Sequence, residues 1–283
     1  GEVWLFDGSA FPDPKALTEL HGRRVRRLSQ GDSLMFMLDS SCRAHLLNGS
    51  QSEEKEVDAW TDGLDVVDIV QGKGHWAMST RQGALYTWGT GEDGQLGLGL
   101  PGDYKAPKHV GGPLDYAAST SVALGDAHTL VLTDGGDVYA FGSGEHGQTG
   151  LGGGKRGPAL VQPLPKFIPA TLHVRVLQVA CGASFSCCVT SDGEVWTWGA
   201  GESGQLGTGR CTSRAEPAPA LDVKHPHAPF SRVACGWAHV LARSKSGRLY
   251  VWGLNAHGQL GTGDMRSRAE PTLIAVGGGT GRE

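Results

Sequence analysis

GDAHTLVLTDGGDVYAFGSGEHGQTGLG, residues 125–152, carries the pattern from which the architecture follows. HTLVL (128–132), TDGG (133–136) and DVYAF (137–141) read as two short strands about a Gly-containing turn, the signal of a β-hairpin. Along the second strand, Val138 and Ala140 fall on one face and Tyr139 and Phe141 on the other. A strand with one solvated face does not carry apolar residues on both. Both faces must therefore be covered. Sheets stacked radially about an axis do this, an aromatic face of one sheet meeting a small-residue face of the next. Burying each aromatic contributes on the order of 2–3 kcal/mol, so these residues read as core and not as a cofactor box.

Three further segments superimpose on this one without gaps, beginning at Gly72, Gly182 and Gly236. The four starts lie 53, 57 and 54 residues apart. Each copy repeats the turn Gly (Gly83, Gly136, Gly193, Gly247), the Gly after an aromatic (Gly89, Gly142, Gly199, Gly253) and a GQ(L/T)G run. The alternation recurs as Leu85/Thr87 against Tyr86/Trp88, Val195/Thr197 against Trp196/Trp198, and Leu249/Val251 against Tyr250/Trp252. A degraded fifth copy starts at Gly31, with Cys42 in place of the turn Gly and no GQLG. A period of this length means an array of supersecondary units. The GQLG run is expected to be the tight link between blades, with Gln95, Gln148, Gln205 and Gln259 satisfying backbone groups that the turn leaves unpaired.

The chain has 283 residues, of which 45 are Gly and 14 Pro. Without a period such a composition suggests disorder; with one it means turns. Lys and Arg number 25 against 29 Asp and Glu, a net charge of −4, which gives no global basic field for nucleic acid. The one dense basic run, His21 to Arg27, lacks interleaved aromatics and reads as a solvated strand edge. The six Cys form no CxxC pair; a disulfide framework is not expected, and a reducing, intracellular setting (cytoplasmic or nuclear) fits better. No apolar run reaches the roughly 18 residues of a membrane span, and no signal peptide is visible.

The first six residues, GEVWLF, match Gly193–Trp198 in pattern, so residues 1–7 are expected to be the last strand of a closing blade. Glu270–Val276 matches Glu216–Leu221 and is expected to open that same blade. By the repeat period roughly 18 residues of its middle are absent. The expectation is an all-β, single-domain β-propeller of four-stranded blades over residues 1–276. It has repeats starting near 31, 72, 125, 182 and 236, and residues 277–283 form a flexible tail. About six blades follow, with the closing blade incomplete in this chain; a seventh requires another repeat outside it.

The pattern G-x-x-H, a Gly-turned hairpin, (Y/W)-x-(W/F)-G and GQLG-x-G resembles the repeat of the regulator of chromosome condensation family. The likeness covers residues 72–276 well and 1–71 through degraded copies. It implies a propeller and one of several jobs: nucleotide exchange on a small Ran-like GTPase, docking on chromatin, or protein recognition within a larger protein whose catalysis lies elsewhere. A photoreceptor of this family uses clustered tryptophans from G-W-R-H-T turns. Here only Gly236-Trp237-Ala238-His239 imitates that turn, while Lys73, Asp126 and Ala183 stand where Trp237 does. Exchange in the family resembles insertion of a projecting β-wedge, and no wedge is found; the longest inter-repeat loop, 152–182, looks stiff.

No enzyme constellation survives. His75, His128 and His239 recur once per repeat and are expected to be buried and bonded to backbone. Lys224-His225-Pro226-His227 has no Cys or carboxylate at ligand spacing. GTGEDG follows a strand and opens no helix, so it is no dinucleotide site. No catalytic residue, metal or cofactor is assigned. The reading is a rigid recognition disc that binds other proteins, with a small GTPase as the first alternative partner and nucleic acid ranked last. The rest of the same polypeptide is also expected as a partner. Binding residues belong on propeller loops, at positions where the copies differ. These are Asp32, Lys73, Asp126 and Trp237 in the G-x-x-H turn, together with Ala183, and Glu92, His146, Glu202 and His257 before GQ(L/T)G.

Overall fold

A computed structural model of the chain describes residues 63–152, 161–220 and 229–274 in full, and the strand backbone within residues 4–56. Among the described residues, twenty-two strands make five four-stranded antiparallel sheets and one two-stranded pair. The pair joins β1 (Trp4–Leu5) to β2 (Lys15–Ala16). β3 (Val25–Gln30), β4 (Leu34–Asp39), β5 (Ala44–Asn48) and β6 (Gln51–Glu56) form the first sheet. β7 (Val66–Gln71), β8 (His75–Thr80), β9 (Leu85–Gly89) and β10 (Tyr104–His109) form the second. The third holds β11 (Ser119–Leu124), β12 (His128–Thr133), β13 (Val138–Ser143) and β14 (Val161–Phe167). β15 (Val176–Cys181), β16 (Phe185–Thr190), β17 (Val195–Gly199) and β18 (Arg214–Pro219) form the fourth. The fifth holds β19 (Phe230–Cys235), β20 (His239–Ser244), β21 (Leu249–Gly253) and β22 (Arg268–Ile274).

Each four-stranded sheet is a simple meander. Their first strands are neighbours in turn, β3 beside β7, β7 beside β11, β11 beside β15 and β15 beside β19. This is the packing of propeller blades, with first strands lining the axis. The stacking follows the two-faced alternation. Val195, Cys187 and Val189 on one face of the fourth sheet meet Tyr250 and Trp252 of the fifth. Leu130, Val138 and Ala140 of the third meet Trp198 of the fourth, and Ala77 and Leu85 of the second meet Phe141 of the third. The corresponding face of the fifth sheet has no described sheet beyond it, and Leu241 there is 37% exposed.

Two expectations are corrected. GQLG is not the covalent link between blades: it lies between the third and fourth strands of one sheet, as residues 94–97 lie between β9 and β10. The covalent link runs after the fourth strand, through one-turn 3-10 helices at Gly112–Asp115 and Pro169–Thr171. What GQ(L/T)G does provide is a non-covalent clamp. The carbonyls of Gln148 and Gln205 accept the indole N–H of Trp198 and Trp252 in the next sheet, each at 2.9 Å. The described part of the segment at 270–276, residues 270–274, is likewise not an opening strand; it lies in β22, the outermost strand of the fifth sheet, paired with β21. A repeat cut at its Gly spans the second to fourth strands and then the first strand of the next blade. Strand pairing, not the repeat boundary, defines the sheet. Of residues 1–7 only Trp4–Leu5 is described, and its pairing with Lys15–Ala16 does not test a place in a closing blade. The tail at 277–283 lies outside the described residues, as do the basic side chains of residues 21–27 and the His-Pro-His segment at 225–227.

Candidate recognition face

The G-x-x-H turn joins the first strand to the second, and its Gly answers to the ring three residues later. A Cβ on Gly125 would sit 2.2 Å from the His128 imidazole, and one on Gly182 1.9 Å from Phe185. His75 and His128 are fully buried. Their Nε2 partners are hydroxyls of the next sheet: Thr129 Oγ1 at 3.2 Å and Ser186 Oγ at 2.8 Å. Each hydroxyl donates onward, to the Gln95 and Gln148 carbonyls at 2.8 Å. The Nε2–H of each histidine must therefore donate to it. Burial holds His75 down to about 4 and His128 to about 3. Both are neutral bolts between sheets, not proton carriers.

These bolts fix the variable residue that follows each Gly. The four turns meet at one opening of about 460 Å³, lined by Lys73, Asp126, Ala183, Trp237 and the strand ends beside them. Backbone bonds stitch the turns together: Asp126 N–H donates to Ala183 O at 2.9 Å, and Ala183 N–H to Trp237 O at 3.0 Å. Lys73 Nζ lies 3.5 Å from Asp126 Oδ2, an exposed pair worth at most about 1 kcal/mol. Ala183 is buried, whereas Trp237 is 67% exposed. Its indole is thus presented at the rim and not packed away on a neighbouring turn. Asp32 lies outside the described residues.

The second candidate set occupies the same face. A meander puts the first-to-second and third-to-fourth connections at one end of the sheet, and backbone bonds tie them. Thr90 N–H donates to Gly74 O, Ser143 to Ala127, Ala200 to Ser184 and Leu254 to Ala238, at 2.8–2.9 Å. Glu92, His146, Glu202 and His257 are all exposed there. Their loops are held by the expected glutamines: Gln95, Gln148, Gln205 and Gln259 accept the N–H of Asp93, His146, Ser203 and His257 at 2.8–2.9 Å. Glu202 is less free than its neighbours. It accepts from Ser213 Oγ at 2.6 Å and from Gly201 N–H at 3.1 Å, and the Ser213 bond draws its carboxyl below the usual range.

Exposed apolar side chains that the repeat comparison passed over also gather here: Leu100 and Met265, in the third-to-fourth loops. The opposite face shows Tyr116 and Leu172. For Leu100, Met265 and Tyr116 the signal in the sequence was a large apolar residue inside a loop containing Gly and Asp; the loop of Leu172 has neither. Among the described residues no three His, Cys, Asp or Glu side chains are grouped to hold a metal, and no helix is long and apolar enough to cross a membrane.

Comparison with known proteins points the same way. A family model described as the RCC1-like domain matches residues 40–281. The chain is 36% identical to the ultraviolet-B receptor UVR8 of Arabidopsis thaliana over 95% of its length and 62% of the receptor's. It is 39% identical to the human E3 ubiquitin-protein ligase HERC2 over 73% of its length, which is 4% of that protein. The chain thus spans less than two thirds of either relative. The crystal structure of human WBSCR16 aligns with a TM-score of 0.80 at 23% identity, covering 95% of this chain and 73% of that one. That likeness shows the fold.

Proposed function

Because this chain belongs to the RCC1-like domain family, we propose that it is a protein-recognition module, part of a larger regulatory protein, with the G-x-x-H face as its contact surface and Trp237 as its anchor. The observation that carries this reading is a large indole standing 67% exposed at the rim of a rigid opening. Tryptophan is the residue type that most often dominates protein interfaces. Here its backbone is already held by the bond to Ala183 N–H, so little ordering cost attends binding. The family hosts an ultraviolet-B receptor and a ubiquitin ligase, and a rigid recognition disc serves either kind of protein.

The test is affinity capture with the intact chain, beside Trp237→Ala and, on the opposite face, Tyr116→Ala. Trp237→Ala is expected to weaken the captured partner about 30-fold, equal to about 2 kcal/mol, with an unchanged thermal midpoint. Tyr116→Ala is expected to bind normally. Loss with Tyr116→Ala and retention with Trp237→Ala would place the contact on the other face. Capture of a nucleotide-free small GTPase, abolished by Asp126→Lys, would instead favour exchange.

A further inference from the structure

Two thiols from different sheets meet beside the opening. Cys187 lies within β16, opposite Ala180 and Thr197, and is fully buried. Cys235 ends β19, the first strand of the next sheet, and is partly exposed at the opening. Their sulfurs are 3.2 Å apart. The repeat makes this contact recur. The residue five after a repeat Gly packs in one cluster with the residue just before the next repeat Gly, as Ala77 with Leu124 and Leu130 with Cys181. Among the described junctions only that of the fourth and fifth sheets puts sulfur on both sides.

We propose that Cys187 and Cys235 are a redox modification site, closing to a reversible disulfide that staples the fourth sheet to the fifth. The separation has to shrink by only about 1 Å to reach the S–S bond length of about 2 Å. The oxidant class is a peroxide. Cys235, the sulfur with access to the opening, attacks first: Cys235–SH and H2O2 give Cys235–SOH and water. Cys187–SH then displaces hydroxide from that sulfur, forming the S–S bond with loss of a second water. Cys187 cannot lead. Its contact with Cys235 and its burial push its thiol well above the usual range, and it has no route to solvent. Cys188 pairs across the strand with Trp196. Trp237 follows Cys235 by two residues, so the staple anchors the end of the strand from which the turn bearing the exposed indole departs.

The experiment uses the full chain with Cys42→Ser and Cys211→Ser, which removes an exposed thiol and one outside the described residues. The protein is treated with hydrogen peroxide, alkylated and mapped without reduction. The expected result is a Cys187–Cys235 cross-linked peptide, a mass lower by two hydrogens, and a thermal midpoint raised by about 5 °C, all reversed by a dithiol reductant. Cys235→Ala, which keeps an apolar group at a position that is Leu in another repeat, should fold and show none of these changes. Over-oxidation of Cys235 without a cross-link, a Cys181–Cys187 bond instead, or a midpoint that does not rise on cross-linking would each overturn the assignment.

Discussion

Gly142→Ala is expected to cost at least about 3 kcal/mol of folding stability, while Gly247→Ala, at the turn glycine of another copy, costs about 1. Both glycines have positive φ, +108° and +86°, so both substitutions carry left-handed strain. Only one meets a wall. A Cβ on Gly142 would lie 2.4 Å from the Ala127 carbonyl oxygen and 2.6 Å from the His128 Cα. These are backbone atoms, and they cannot retreat without loosening the His128–Gly142 register between β12 and β13. That register holds the imidazole on Ser186 of the next sheet. Among the described residues, a Cβ on Gly247 finds nothing within 4 Å. Urea denaturation of the two variants reads the difference directly; equal midpoints would show that the junction yields and the close approach is not structural.

Acid is expected to unfold the protein through the same bolts. Both histidines have folded pKa values below the ordinary 6.5, about 4 for His75 and about 3 for His128. Above pH 6.5 they are neutral folded or unfolded, and stability does not depend on them. Below it the unfolded chain takes up protons that the buried rings refuse. Stability then falls by up to about 1.4 kcal/mol per pH unit for each histidine, until the folded values are reached. By pH 4 the two together remove on the order of 6 kcal/mol, comparable with the whole stability of a typical domain. The third described junction suggests the control, since there Phe185 and Val240 replace the imidazole and hydroxyl. His128→Phe with Ser186→Val copies it, and leaves the Gln148 carbonyl still bonded to the Trp198 indole. The double variant should flatten the urea midpoint against pH by one proton's worth between pH 6 and 4. An unchanged slope would mean that other groups drive acid unfolding.

The face that would bind partners was only half legible in the sequence. Its residues were marked by disagreement among copies: Lys73, Asp126, Ala183 and Trp237 in one set, Glu92, His146, Glu202 and His257 in the other. That the two sets share a face depends on the meander order and on bonds such as Thr90 N–H to Gly74 O. The partial withdrawal of Glu202 depends on Ser213, eleven residues away in sequence.

The features legible in residue order alone are local and periodic. Alternation over five residues places Trp198 and Trp252 in covered faces, the Gly turn closes each hairpin, and Gln205 reaches the N–H two residues before it. All of these act within one repeat of about 54 residues, where chain proximity makes the partner unambiguous. Tertiary structure alone decided which strands share a sheet, where GQLG sits and which thiols meet. Most of these strands present unpaired backbone groups on either edge, less the N–H that Pro271 lacks in β22, so pairing is settled by which neighbour covers it. That competition put β22 at the outer edge of its own sheet. It also brought Cys187 to Cys235 across 48 residues of chain, because the contact is made by the packing of one blade against the next.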